Sequence, residues 1–481
     1  LQGEVKYFLD TFVGSCVEMG SGHERVTLPD ELSGLESAVV SDLARVGLLS
    51  LDLSDNVPKM RMADENLKLF APMLAQYRVK LVPMTRQGAP VAFCTALLKE
   101  CRSQVPAPLE LTAPIPAGGQ GNRMENAAIS CLGELAERLS LCSLGAQDPR
   151  VLPFEKEQLE VDFSGLLGLS LTQCRHAAAA LRKSGVPIPA DVPEWSTLSG
   201  RRVALTNLAT GRMAQFPSFG VLLREAAWAG AEALSFASSV GCAVWATRHG
   251  ARERALLELV ERDAVAQVWY NRLGITFLEP GLLREILTGT LIDYLDAQPR
   301  LWGVYHLESD LPVQVAIAVS HEADGRGCAF GASAGWDVAS ACEGAIEEML
   351  QSENSLELMT KAYPSGQGQG RMPRQLAYAR AGSILEDLPL REALPADERL
   401  TARVYGLPEL RQALEDQDIT VWEFDATRPD LNIPCVKLLS PQLCTWEPRF
   451  GKRRLFQGVV DRGLRQHPAT EAEFAARPFP F

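Results

Sequence analysis

The sequence predicts a mixed α+β (α/β) fold, in which mixed sheets are flanked by helices, with a small α+β module at the N-terminal end. Three observations predict it. Ala- and Leu-rich runs of helical period stand beside apolar runs of strand length at several places along the chain. Proline-rich breaks separate these groups. The composition, 46% apolar and 22% charged over 481 residues, is that of a globular chain with a sizeable core, which excludes a disordered or collagenous one. At about 150 residues per domain, the length admits two to four domains.

In order, the apolar runs Val5–Phe8, Val79–Pro83 and Val91–Leu97 and a helical pattern at Leu35–Leu48 make residues 1–105 an N-terminal accessory module, suited to substrate or partner binding. The Pro-rich Val105-Pro106-Ala107-Pro108 reads as a linker, and Pro114 to Gly121 as a flexible loop, so a second domain is expected over 106–481. Helical patterns follow at Asn126–Cys142, Val221–Ala233, Arg252–Asn271, Leu282–Ala297 and Val338–Ser352. Strands are expected at Arg202–Leu205, Val313–Ser320, Ile419–Phe424 and Cys435–Leu439, and loops at Pro187–Trp195 and Ser365–Gly370.

Charge and rare residues narrow the function. Lys+Arg 47 against Asp+Glu 60 leaves −13, so no field over the whole molecule draws it to nucleic acid or to an anionic membrane. The eleven cysteines form no C-x-x-C pair, which fits a reducing, cytoplasmic location. The six histidines show no H-x-x-x-H spacing, so no zinc site is expected. The most apolar stretch, Ala226–Thr247, contains Glu232 and suits tight helix packing better than lipid. No basic-then-apolar leader follows Leu1, so no secretory signal is expected.

The chemistry-bearing feature is a near-repeat. Glu134-Leu135-Ala136-Glu137-Arg138 recurs as Glu258-Leu259-Val260-Glu261-Arg262, each in an Ala/Leu-rich helical run, and a third helix carries Glu347-Glu348. Glutamates three apart share one helical face, so two such helices can converge four carboxylates on one place. Four carboxylates repel one another unless cations or protons lie between them, and hard oxygen donors suit Mg²⁺. An adjacent Arg adds the fork that grips phosphate oxygens, and the set matches what Mg-triphosphate binding requires. A single E-x-x-E-R equally suits a solvated helix face laced with i,i+4 pairs.

Five ordered segments carry a resemblance. Gly119-Gln120-Gly121 with Ser130, Glu134, Glu137 and Arg138 resembles the first signature of the YcaO family, and Ser239-Val240-Gly241 with Glu258, Glu261 and Arg262 resembles the second. Phe330-Gly331-Ala332-Ser333 with Ala345, Glu348 and Gln351 is similar to the third. Asp425 to Lys437 with Arg454-Leu455-Phe456 follows the closing region, and Arg477-Pro478-Phe479-Pro480-Phe481 is similar to the tail of azoline-forming members. The resemblance covers about residues 110–481.

What the resemblance implies is an ATP-dependent cyclodehydratase that activates backbone amides of a ribosomally made precursor peptide, forming thiazoline or oxazoline rings from Cys, Ser or Thr. Thioamide or amidine formation, or a non-catalytic subunit binding peptide or partner protein, are the alternatives it leaves. It implies ATP and Mg²⁺ as cofactors, with Glu134, Glu137, Glu258 and Glu261 on the metal and Ser130, Glu134, Arg138, Glu258 and Arg262 on the nucleotide. Pro478, Pro480 and Phe481 would organise the catalytic centre. It further implies a homodimer, a leader-binding partner protein, a flavin-dependent dehydrogenase and a role in bacteriocin-type biosynthesis. The chain departs from the family at Gln120, where Lys is common, at Val240, where Asn is usual, and at Ala246 and Gly250, where Asn and a further metal-binding Glu are usual. Glu253 is the candidate to substitute for the latter.

Overall fold

The computed structural model describes residues 27–52, 59–84, 86, 88–101, 116–225, 228–363, 372–391, 400 and 402–481. The linker expected at 105–108, the apolar run at Val5–Phe8 and the loop at Ser365–Gly370 lie outside the described residues. The described residues fall into two compact units. One takes the chain up to Gly145 together with Ala243–Ala251 and Ala426–Cys435; the other takes Ala146–Cys242, Arg252–Asp425 and Val436–Phe481. No helix among the described residues is long and apolar enough to cross a membrane.

In the first unit, α1 (Ser37–Arg45) precedes the hairpin of β1 (Leu49–Asp52) and β2 (Lys59–Met62), and α2 (Ala71–Gln76) leads into β3 (Tyr77–Met84). β4 (Ala92–Cys101) pairs antiparallel with β3 and with β5 (Pro116–Gly121), which leads into α3 (Met124–Leu141). The glycine-rich run expected as a loop is thus strand β5, a correction with a steric cause. A Cβ at Gly119 would lie 2.3 Å from Ala127 O and from Cys131 N, so only glycine lets α3 close onto this strand. Arg428, fully buried, donates to Leu139 O (3.2 Å), Tyr77 Oη (2.7 Å) and the Asp430 carboxylate, fixing the C-terminal turn of α3.

The second unit continues with β6 (Leu152–Pro153), α4 (Leu171–Lys183), β7 (Arg201–Asn207) and β8 (Met213–Pro217). The first sheet runs in the order β6-β7-β15-β16-β9, with β8 beside β7, where β9 is Cys242–Val244, β15 Trp422–Asp425 and β16 Cys435–Leu439. A second sheet runs β13-β12-β11-β10-β14: β10 is Ile275–Phe277, β11 Leu301–Leu307, β12 Gln314–His321, β13 Ala329–Gly335 and β14 Leu390–Arg391. Its neighbours are antiparallel except β10 with β14, so the sheet is mixed, as expected. β12 is buried along its whole length, the pattern of a central strand covered on both faces.

The long helices are α5 (Arg248–Asn271) and α8 (Val338–Ala362), the latter ten residues longer than its pattern suggested. α8 lies against β12 and β13, where a Cβ on Gly331 would meet Ala345 O at 2.2 Å. Two expected helices are corrected. Leu282–Ala297 is α6 (Pro280–Ile286) and α7 (Gly289–Asp296), because Leu287 and Thr288 are extended and Thr288 starts a new helix. The described residues of 221–233 form no helix but turns and bends with a bridge residue at Leu223, and Arg224 lies in the left-handed region at φ 55, which no helix accommodates. In the described part of that apolar stretch, 228–247, the expected helix packing is likewise replaced by turns, irregular backbone and β9. Nine described cysteines, including Cys131, Cys342 and Cys444, are buried.

Candidate functional site

The two E-x-x-E-R segments form helices, and one backbone device anchors both. In the first unit the Gly118 N–H of β5 donates to Glu134 Oε2 at 2.7 Å. In the second the Gly241 N–H donates to Glu258 Oε2 at 3.1 Å. A third instance joins β13 to α8, where the Ala332 N–H donates to Glu348 Oε2 at 3.3 Å. Each tether takes one carboxylate oxygen from a long, flexible side chain and fixes its direction, which lowers the entropy to be lost when the other oxygen binds something.

In the first unit, Glu134 also pairs with Arg138 one turn on, and the two side chains are about a third exposed. Glu137 is half-buried, and Ser130 is exposed one turn before Glu134, so both lie near the Glu134 face of α3. Gln120 sits in β5 opposite Phe93. Trp245 fills the space beside Gly250, where an added Cβ would meet Trp245 Cδ1 at 2.0 Å.

The second unit holds the more buried cluster. Arg262 pairs with Glu258 at 3.2 Å and with Glu261, and Glu261 is only 7% exposed. Burial pushes the Glu261 carboxyl well above its usual range; Arg262 opposes this, while Glu348 and Glu258 reinforce it. Burial also raises Glu258, against the pull of Arg262 and Lys437. Burial disfavours the Arg262 charge, yet Glu261, Glu258 and Glu348 raise its pKa and keep it cationic. Glu347, the neighbour of Glu348, is pushed up to about 7 by burial and by Glu343 and Glu348. Glu253, the candidate substitute ligand, accepts a hydrogen bond from Trp336 Nε1 at 2.7 Å.

Two further residues shape this cluster. Lys437 on β16 donates to the carbonyls of Ser238 (2.8 Å) and Val240, and the Leu438 N–H donates to Gly241 O at 2.7 Å. These bonds hold the turn that aims the Gly241 N–H at Glu258. Gly241 is required there, since its φ is +76 and a Cβ would meet Leu438 O at 2.6 Å. Behind Arg262, Arg454 bridges Asp263 (2.8 Å) and Asp310 (2.6 Å), anchoring the middle of α5.

The tail is folded. Pro478 is exposed, Pro480 is buried and Phe481 is half-buried, stacked on Phe330 at 4.8 Å and 14°. Phe479, 1% exposed, packs against Trp446 (4.6 Å), Trp269 (5.3 Å) and Phe330 (5.4 Å). Trp269 Nε1 donates to Arg477 O, and Arg374 donates to Phe479 O.

The donor chemistry of the second unit fits a divalent cation. Three carboxylates, Glu258, Glu261 and Glu348, act electrostatically on one guanidinium, and burial disfavours the negative charge of Glu258 and Glu261. Among the described residues no three His, Cys, Asp or Glu side chains are grouped to ligate one ion by themselves. Mg²⁺ does not require that, because one or two carboxylates with waters and phosphate oxygens complete its shell. Glu348 was not among the metal residues expected from sequence; the recurring strand N–H, sixteen residues ahead of both Glu134 and Glu348, is the signal that points to it.

A mixed α+β fold carrying buried and half-buried carboxylates beside an arginine defines a protein of the Mg-nucleotide-handling class. Similarity to known proteins gives the family: a profile described as YcaO cyclodehydratase, ATP- and Mg²⁺-binding, matches residues 118–444, and the chain belongs to the YcaO family. No curated protein matches the sequence. Among solved structures, the chain is similar to a heterocyclase in complex with substrate and cofactor, with TM-score 0.67 and 20% identity, over 84% of this chain and 55% of that one. It is similar to YcaO from Methanopyrus kandleri bound with AMPPCP and Mg²⁺, with TM-score 0.53 and 17% identity, over 76% and 85%. It is also similar to a chain of the E. coli microcin synthetase McbBCD complex, with TM-score 0.53 and 13% identity, over 84% and 96%. The chain thus spans little more than half the length of the first heterocyclase.

Proposed function

We propose that the chain is an ATP-dependent cyclodehydratase that closes thiazoline or oxazoline rings on Cys, Ser or Thr of a ribosomally synthesised precursor peptide. The observation that carries this is the cluster of buried Glu261 with half-buried Glu258 and Glu348 around Arg262 in a chain of the YcaO family. Mg-ATP, when bound, supplies the phosphoryl group that turns a backbone amide oxygen, otherwise a very poor leaving group, into a good one. The residues of the chain bind and orient. Gly241 and Ala332 aim their tethered glutamates, and Arg262 neutralises anionic oxygens beside them. The same proposal assigns metal binding to Glu134, Glu137, Glu258 and Glu261, and nucleotide contacts to Ser130, Glu134, Arg138, Glu258 and Arg262. Pro478, Pro480 and Phe481 order the catalytic centre.

Residues 1–105 serve as an accessory module and 106–481 as the catalytic domain. A leader-binding protein, a flavin-dependent dehydrogenase and a second copy of the chain are the partners, in the cytoplasm, in bacteriocin-type peptide biosynthesis. The test is to incubate the protein with ATP, Mg²⁺ and a Cys- and Ser-rich precursor, following phosphate release and peptide mass. Loss of one water per phosphate released is expected, and Glu137→Gln and Glu261→Gln should each abolish it while the proteins stay folded. Full activity in both variants would refute the metal assignment.

A second reading, a non-catalytic subunit of the same fold, is favoured by Trp245 filling the place beside Gly250 and by Glu253 being engaged with Trp336. Titration of Mg-ATP without peptide separates the two, since the absence of binding supports the second alone.

A further inference from the structure

Arg262 is a long side chain with many rotamers to lose, and a site that grips phosphate oxygens gains from having it fixed beforehand. Its two glutamates hold one edge of the guanidinium; Trp446 holds the face, with Cζ 3.6 Å from the indole centroid. Trp446 is itself rigidly framed. The Cys444 N–H donates to Asp263 Oδ1 at 2.8 Å, directly after Arg262 in the helix, and Tyr270 Oη donates to Trp446 O at 2.9 Å, two turns on. Phe479 buttresses the indole at 4.6 Å. The indole Nε1–H is buried and has no acceptor among the described residues. A donor-only group in that state costs free energy, and an anionic oxygen brought in beside Arg262 is the kind of acceptor that would recover it.

We infer that Trp446 is a positioning residue of this site: its indole face presets the Arg262 guanidinium for a nucleotide phosphate, and its buried N–H offers that phosphate a second donor. This rests on Arg262 contacting the nucleotide, as proposed above. Calorimetric titration of the full-length protein with Mg-AMPPCP tests it, using Trp446→Leu, Trp446→Phe, Arg262→Ala and the Trp446→Leu/Arg262→Ala double variant. Near-ultraviolet circular dichroism checks the fold of each. Removing both the plate and the N–H in Trp446→Leu is expected to weaken binding roughly ten- to 150-fold, a cation–π contact and a hydrogen bond together. Trp446→Phe, which keeps an aromatic face and fits the same space, is expected to lose only the N–H, roughly five-fold. In the Arg262→Ala background the loss from Trp446→Leu should shrink to the N–H contribution, a coupling that a general packing role would not produce. Unchanged affinity in Trp446→Leu and Trp446→Phe, or a loss as large without Arg262 as with it, overturns the inference. If Arg262→Ala itself binds like the unaltered chain, it is the assignment of Arg262 to the nucleotide that fails.

Discussion

Replacing Gly331 by Ala tests whether backbone closeness aims the acidic residues. The added Cβ would lie 2.2 Å from Ala345 O and 2.3 Å from Met349 N, both main-chain atoms of α8. Ordinary contact begins near 3.4 Å, so strand and helix must separate by about 1.2 Å. Overpacking of this kind costs ~1–3 kcal/mol, and the upper end applies because neither obstacle is a movable side chain. The neighbouring Ala332 N–H bond to Glu348, already 3.3 Å, would break, so the carboxylate loses its aim. Urea unfolding by linear extrapolation reads the stability loss, and Mg-AMPPCP titration reads the functional one. Gly133→Ala is the matched control: it lies within α3, nothing stands within 4 Å of its Cβ, and the change should stabilise by ~0.5–1 kcal/mol. If Gly331→Ala and Gly133→Ala shift the unfolding midpoint alike, the steric reasoning is wrong.

Other outcomes follow from the same structure. Glu261→Gln should leave the melting temperature of the metal-free protein unchanged or higher, because it removes a charge that burial, Glu348 and Glu258 disfavour; a marked drop would contradict this. Lys452, buried and lowered to about 8 from 10.5 by burial, binds fewer protons folded than unfolded between those values. Stability should therefore gain up to roughly 3 kcal/mol as pH rises through that window, and urea titrations of Lys452→Met should lack the rise. Phe479→Ala, emptying a site ringed by Trp269, Phe330 and Trp446, should cost ~3–5 kcal/mol of stability and weaken nucleotide binding with it; a neutral thermal melt would argue against a packed tail.

The acidic helices were legible because glutamates three apart, repeated in an Ala/Leu context, mark one face of a helix set against a core, and both became helices with their arginines one turn on. The strands at Val313–Ser320 and Cys435–Leu439 were legible as short apolar runs. Gly119–Gly121 was not, because glycine marks turns and also close packing, and only the partner helix distinguishes the two. Glu347 and Glu348 could not be separated by composition: adjacent residues sit about 100° apart on a helix, and it is Glu348 that receives the strand N–H. Helical period at Val221–Ala233 gave way to turns around Arg224, and the Thr288-Gly289 step, readable as a cap, split a run that hydrophobicity joined. Trp446 has no local pattern at all; its role depends on contacts with Arg262, Tyr270 and Phe479, far off in sequence.

The nine packed-away cysteines give the protein a built-in set of chemical clocks. A maleimide reaches such a thiol only when its surroundings open, so the labelling rate at Cys131 on the first acidic helix, at Cys342 on α8 and at Cys444 beside Asp263 would report three local breathing motions separately. Slower alkylation of Cys342 and Cys444 in the presence of Mg-AMPPCP would map, without engineered probes, how far nucleotide tightens the surrounding core.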